Sequence, residues 1–234
     1  MKLIKLVSII SIFCIFVSTM FSNSEVVGAT SNDSPVKFTI LEQTETYTKV
    51  KVEDFKNGTV EYVESFYENG EYVYNILTRE DKVLHTLEKN GEEILVDGKV
   101  LETSTEYGPK NVLQKDIVSL GGYTTQAITW KYTGVLYSSN TAKYATASYL
   151  ATMIGLIMGL PVWAAAVQTT VSHFVLLDLK TVYWKRLFYR DANATYSTCK
   201  TADITHVYTW SNYTGYVSDS GLIVDSVDQC SSGY

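Results

Sequence analysis

The sequence predicts an α+β protein, with an antiparallel β-meander in its N-terminal half and a β-rich C-terminal half that carries one apolar helical hairpin. Three observations predict it. Asn57-Gly58, Asn69-Gly70, Asn90-Gly91 and Asp97-Gly98 punctuate short runs in which Val and Tyr alternate with Lys and Glu. Such dipeptides favour tight hairpin turns, because both central residues can take positive φ. The 34 residues from Tyr144 to Leu177 contain no Lys, Arg, Asp or Glu and are rich in helix formers. Aromatic, alternating segments follow, of which Thr181 to Arg190 is the clearest.

Taken from the start, the first element is an address. Lys2 and Lys5 precede an uncharged apolar run from Leu6 to Phe21, then a polar stretch and Val27-Gly28-Ala29. A basic start, a short apolar middle and small residues at the end describe a secretory signal peptide over residues 1–29, cleaved after Ala29. The run is too short and wrongly flanked for a convincing membrane span. Cys14, preceded by Phe13, does not fit a lipoprotein attachment site. Export leaves Cys199 and Cys230 as an even pair in an oxidising compartment, where a disulfide between them is expected. Closing that loop would contribute roughly 3 kcal/mol in the chain-entropy model.

Residues 30–110 form the second element. From Ser31 to Lys110 there are 17 acidic and 9 basic residues, a net of −8; from Asn111 to Tyr234 there are 7 and 8, a net of +1. Gly108-Pro109 sits on that shift, and a module boundary is placed near residue 110. The first half reads as a meander of about six strands, beginning at Tyr47, with one wet and one packed face. Its acidity reads as a solvated face in preference to a binding surface.

Residues 111–234 form the third element, an aromatic β region with the helical hairpin at 144–177. Ile128, Trp130 and Tyr132 suggest a strand before the hairpin. Within the hairpin, Gly159-Leu160-Pro161 divides two segments, predicting two helices of about sixteen residues, each about 24 Å long. Ser148, Thr152, Gly155 and Gly159 share one face of the first helix, and Ala165, Thr169 and Ser172 one face of the second. Small-residue faces of this kind allow close helix pairing in membranes. A helix apolar nearly all round must be buried in protein or in lipid. Three readings stay open: a core hairpin roofed by sheet, a hairpin that leaves the core and inserts into a bilayer, and a stop-transfer anchor. Gly155, Gly159, Pro161, Trp163 and Phe174 are the insertion candidates.

The strand after the hairpin places Val182, Trp184, Arg186 and Phe188 on one face and Tyr183, Lys185, Leu187 and Tyr189 on the other. Tyr and Trp beside Lys and Arg are residue types that settle at membrane–water interfaces. Tyr183, Trp184, Lys185 and Arg186 are therefore the candidate interface anchors. Thr195 to Lys200, Ile204 to Trp210 and Gly221 to Val227 read as further strands.

Composition narrows the function. A chain with 46% hydrophobic residues is too apolar for disorder, and a formal charge of −6 argues against general nucleic-acid binding. No Gly-x-Ser-x-Gly elbow, His-Glu-x-x-His motif or Gly-rich phosphate loop occurs. His85, His173 and His206 read as packed or surface residues. No enzyme, cofactor or metal centre is expected.

The order of these elements, with Gly159-Leu160-Pro161-Val162 and Ala164-Ala165-Ala166 followed by Lys180-Thr181-Val182-Tyr183-Trp184-Lys185, resembles the geobacillin-like large secreted bacteriocins over residues 115 to 215. The resemblance implies secretion by a Gram-positive bacterium and antagonism of related bacteria at their envelope, with an immunity partner in the producer. It carries over no catalytic residue. The expected function is thus a secreted antibacterial protein whose partner is a bacterial membrane or envelope component, perturbed through the hairpin, with oligomers on membranes compatible with it. The competing expectation is a secreted β-rich surface-interaction protein whose hairpin is only a core. A third is an unrecognised cell-wall hydrolase.

Overall fold

The computed structural model describes residues 34–68, 71–91, 93–107, 118–119, 129–192 and 200–224. The signal peptide, Cys14, the Cys199–Cys230 pair, the Gly108-Pro109 boundary, the Asn69-Gly70 turn and residues 195–199 of the strand expected at Thr195 to Lys200 lie outside the described residues.

Sheet one is an antiparallel meander in chain order: β1 (Val36–Gln43), β2 (Tyr47–Asp54), β3 (Thr59–Glu68), β4 (Glu71–Leu77), β5 (Val83–Asn90), β6 (Glu93–Val96) and β7 (Lys99–Val100). Strand β2 shows why: Thr48, Val50, Val52 and Asp54 are buried while the residues between them are half-exposed, the period of two expected for a sheet with one packed face. The β6–β7 turn puts both Asp97 (φ 52°) and Gly98 (φ 74°) in the left-handed region, which matches the twist of the strands it joins. The sequence reading began at β2; β1 adds a strand before it, paired to β2 with a bulge between Ile40 and Glu42.

The chain changes sheet between Val100 and Thr103. Sheet two contains β8 (Thr103–Tyr107), β9 (Val118–Ser119), β10 (Thr129–Thr141), β11 (Thr181–Asp191), β12 (Thr201–Tyr208), β13 (Tyr216–Asp219) and β14 (Ile223–Val224). Its order is β13-β12-β11-β10-β8, with β14 also on β12 and β9 also on β10. The protein is therefore mostly antiparallel β.

Between β10 and β11 lie two helices, α1 (Ala147–Met158) and α2 (Ala165–Leu176), each of 12 residues. Both are shorter than expected, and α1 is closed locally at both ends. The Thr146 side chain accepts the Tyr149 N–H at the start. At the end Gly159 takes φ 65°, donating to Leu156 O while Leu160 N–H reaches Gly155 O at 3.0 Å. This paired closure satisfies carbonyls that a helix end otherwise leaves open.

All twelve residues of α1 are buried, because the helix has a sheet on either side. From sheet one, the Tyr74 hydroxyl donates to Leu160 O at 3.1 Å. From sheet two, Arg186 Nη2 donates to Ile157 O at 2.9 Å. Helix α2 packs beside α1 and against β1 and β13. One apolar core runs through both sheets and both helices.

The small-residue faces of the two helices do not meet. Ser148 donates to the Glu61 carboxylate of β3, and a Cβ on Gly155 would stand 2.9 Å from Leu160 O and 3.2 Å from the Tyr74 hydroxyl. Ser148 and Gly155 let α1 settle onto sheet one, Gly159 at its end faces Ile223 of sheet two, and Ser172 of α2 bonds Ser34 at 3.0 Å.

Candidate functional site

The insertion candidates occupy the helical layer. Gly155 lies beneath Tyr74 and Gly159 closes α1. Pro161 is in the link, where its carbonyl accepts the Ala164 N–H at 2.9 Å. Trp163 is half-buried in the same link, and Phe174 is fully buried in α2. Among the described residues no helix is long and apolar enough to cross a membrane.

The four interface candidates divide between the two faces of β11. Trp184 and Arg186 are buried against the helices. The Trp184 indole N–H donates to Asn140 Oδ1 at 2.8 Å. Arg186 bonds Thr205 Oγ1 at 3.2 Å, pairs with Asp203 at 3.6 Å and has its guanidinium carbon 5.2 Å from the Trp184 ring centroid. It stands at the C-terminal end of α1, which has no basic residue in its own last turn, so sheet two supplies the cation that complements the helix dipole.

Tyr183 and Lys185 face outward, and the sheet register brings other groups beside them. One row across the strands runs Glu106, Tyr137, Lys185, His206, Asp219; the next runs Ser139, Tyr183, Tyr208, Tyr216. Lys185 Nζ lies 5.2, 4.9 and 5.1 Å from the ring centroids of Tyr137, Tyr208 and Tyr213, within cation–π range of all three. Burial among these rings lowers the Lys185 pKa from its ordinary value.

Tyr213 reaches this position from the β12–β13 connection, in a turn closed by its own N–H to Trp210 O at 2.9 Å. Its φ of 57° is a conformation that bulky side chains rarely adopt, at a cost of about 1–3 kcal/mol. Its ring sits 5.0 Å from Tyr137 and 5.9 Å from Tyr208. His206 lies edge-on to Tyr216 at 5.7 Å; burial lowers its pKa, with Asp219 acting in the opposite sense. The Tyr216 hydroxyl bonds Asp219, and burial followed by that bond pushes its pKa up to about 12. Trp210 and Tyr216 are 53% and 55% exposed.

The sequence reading missed Tyr137, His206, Tyr208, Tyr213 and Tyr216 as members of this face. The period of two through Ile204, His206 and Tyr208 held a usable signal. Tyr213 offered none, because only the turn carries it back over the sheet. The face offers flat rings and phenol hydroxyls around one amine, beside the His206 imidazole and the carboxylates of Glu106 and Asp219; the rings suit adsorption and stacking.

The arrangement nearest to catalytic geometry lies at the start of α1. His85 Nδ1 and Asp97 Oδ2 are 3.0 Å apart, the His85 ring stacks on Tyr144 at 4.0 Å, and burial raises the pKa of the neighbouring Glu61 carboxyl. The Glu61 carboxylate is bonded by the hydroxyls of Ser148 and Thr146, and Ser148 is 1% exposed and so is closed to a substrate. Among the described residues no group of three or more His, Cys, Asp or Glu side chains could hold a metal ion. Comparison of the chain with protein-family models, curated proteins and solved structures gives no match.

Proposed function

We propose that the chain is exported and acts as a non-catalytic binding protein at a bacterial cell envelope, with the tyrosine face of sheet two as its contact surface. The observation that carries this reading is the convergence of Tyr137, Tyr208 and Tyr213 around Lys185. Tyrosine presents a large amphipathic surface at low entropic cost, and Tyr with Lys suits the boundary between water and an apolar layer. The resemblance to large secreted bacteriocins adds that the envelope is that of a competing bacterium and that binding inhibits its growth.

The test is co-sedimentation of the secreted protein with phosphatidylglycerol vesicles and with isolated Gram-positive cell walls. The double variant Tyr183→Ala/Tyr213→Ala, checked by circular dichroism, should lose at least tenfold in binding to whichever material the parent binds. Unchanged binding by the folded variant, or no binding of the parent to either material, would sink the proposal.

The uncharged segment at 144–177 favours a second reading, membrane perturbation by the helices. Insertion requires the sheets to part, breaking the Tyr74–Leu160 and Arg186–Ile157 bonds. It also exposes Tyr149, Leu150, Met153, Ile154 and Ile157, whose burial is worth on the order of 10 kcal/mol together, as much as the net stability of a typical domain. Each helix is about 18 Å long, against a hydrocarbon layer of about 30 Å. Dye release from the same vesicles separates the readings: release that tracks binding supports insertion, and binding without release supports surface attachment.

A further inference from the structure

Phe55, Leu176, Leu177 and Trp210 are 61%, 60%, 44% and 53% exposed. They belong to three connections: Phe55 opens the β2–β3 turn, Leu176 and Leu177 close α2, and Trp210 follows β12. Polar bonds gather all three at the last turn of α2. Lys56 Nζ donates to Val175 O at 2.9 Å and Leu176 O at 3.1 Å and pairs with Asp178 at 2.6 Å, which holds Phe55 beside the helix end. His173 Nε2 and Thr209 Oγ1 are 3.0 Å apart, which holds Trp210 there from the other sheet. Large apolar residues exposed singly are ordinary, but several fixed at one place mark a contact surface.

The backbone beneath these side chains is already satisfied. The N–H groups of Phe55, Leu177 and Trp210 donate to Pro35 O, His173 O and Thr214 O, and Trp210 O accepts the Tyr213 N–H. Such a rim enters an apolar layer without carrying unpaired N–H groups into it. Area decides what covers it. The four exposed fractions amount to about two whole side chains, or roughly 400 Å² at about 200 Å² for each. A stable protein interface buries about 800 Å² on each partner, about twice what the rim offers to a second copy. A bilayer needs no matching shape and takes up apolar side chains to a depth of about 5–10 Å. Tryptophan and lysine are residue types of that boundary. Lys180, three residues past Leu177, is exposed, and a lysine there complements anionic headgroups.

We propose that this rim docks on an anionic lipid bilayer, with Phe55, Leu176, Leu177 and Trp210 below the headgroups and both helices still between their sheets. The proposal rests on the envelope contact argued above and names its partner. Tyr208 and Tyr216 are cross-strand neighbours on either side of the connection that carries Trp210, so the rim and the tyrosine face meet at one corner.

The experiment is sedimentation of the secreted protein with vesicles of phosphatidylglycerol and phosphatidylcholine, with and without brominated acyl chains. The parent should sediment with them, and bromine should quench its tryptophan fluorescence. Trp210→Phe should still sediment but lose the quenching, because Trp130 and Trp184 are buried in the protein. Phe55→Ser/Leu176→Ser, folded by circular dichroism, should lose at least tenfold in partitioning. The proposal is overturned if the parent stays in solution, if the folded serine variant partitions as the parent does, or if quenching persists in Trp210→Phe. It is also overturned if lipid-free sedimentation shows a dimer that the serine substitutions abolish, since the rim then belongs to a second copy. Binding of the parent to cell walls but not to vesicles removes this proposal and leaves the tyrosine face standing. Vesicle binding lost by the serine variant but kept by Tyr183→Ala/Tyr213→Ala supports the rim and removes the tyrosine face.

Discussion

Gly155→Ala sets two opposed effects against each other at one atom. In a helix interior, Ala is favoured over Gly by about 1 kcal/mol, so propensity alone predicts stabilisation. The added Cβ, however, would stand 2.9 Å from Leu160 O and 3.2 Å from the Tyr74 hydroxyl. Neither neighbour can give way cheaply. Leu160 is tied back to Gly155 O by its own N–H at 3.0 Å, its carbonyl is held by the Tyr74 hydroxyl at 3.1 Å, and the Tyr74 side chain is fully buried. Overpacking of this kind costs about 1–3 kcal/mol, and loss of the Tyr74–Leu160 bond adds about 1 kcal/mol. The net expectation is destabilisation by about 1–3 kcal/mol. Urea unfolding followed by circular dichroism reads it as a lower midpoint at unchanged slope. Adding Tyr74→Phe should give less than the sum of the two single losses, because one of the two crowded oxygens is gone and the Tyr74–Leu160 bond can be lost only once. A Gly155→Ala protein more stable than its parent would refute the close-contact argument.

Arg186→Met should cost about 3 kcal/mol or more, since it leaves Asp203 and Ile157 O facing a buried apolar group; Arg186→Lys should recover only part of this, lacking the planar fork. Lys56 bonds Val175 O at 2.9 Å and Leu176 O at 3.1 Å at the end of α2, so Lys56→Ala should lower the unfolding midpoint by the equivalent of about 0.5–1 kcal/mol. Burial raises the folded pKa of Glu61 above 4.5, so the folded state keeps that proton to higher pH than the unfolded chain and this group's contribution to stability falls as pH rises through the window above 4.5. Against the parent, Glu61→Gln should therefore gain relative stability from pH 4 to pH 7, and denaturant titrations showing the reverse would contradict the assignment. His206 is shifted below 6.5; its neutral form is favoured in the folded state, so that contribution is present above 6.5 and is lost as pH falls through the folded value, a dependence His206→Gln should remove.

Local pattern made much of the architecture legible, and its failures have physical causes. The Asp97-Gly98 turn could be read because both residues must take positive φ, a demand that two adjacent residues satisfy by themselves. Strand β1 escaped notice because Thr44-Glu45-Thr46 carries no such turn signature and the bulge after Ile40 breaks the alternation. The stripe through Ser148 and Gly155 was visible, but its partner was not. Tyr74 lies far upstream, and nothing in the helix encodes it. Alternation likewise divided Trp184 and Arg186 from Tyr183 and Lys185. Which pair faced inward depended on the helical layer. The tyrosine face needs four strands in three registers and one turn at once, beyond the reach of any local window.

The double-sided burial of α1 also orders events in time. Sheet one is made of neighbouring hairpins and can form as its residues appear. Helix α1 is apolar on every side, yet one of its walls is built by β11 and β12, which are synthesised after it. A chain halted at residue 180 would hold a finished first sheet beneath a bare apolar layer, the type of species that associates with its own copies. The segment from Thr181 onward therefore ends an interval of vulnerability, and the rate at which it arrives governs how much chain survives to fold. Slowing elongation just before Thr181 should lower soluble yield more than an equal delay before β1.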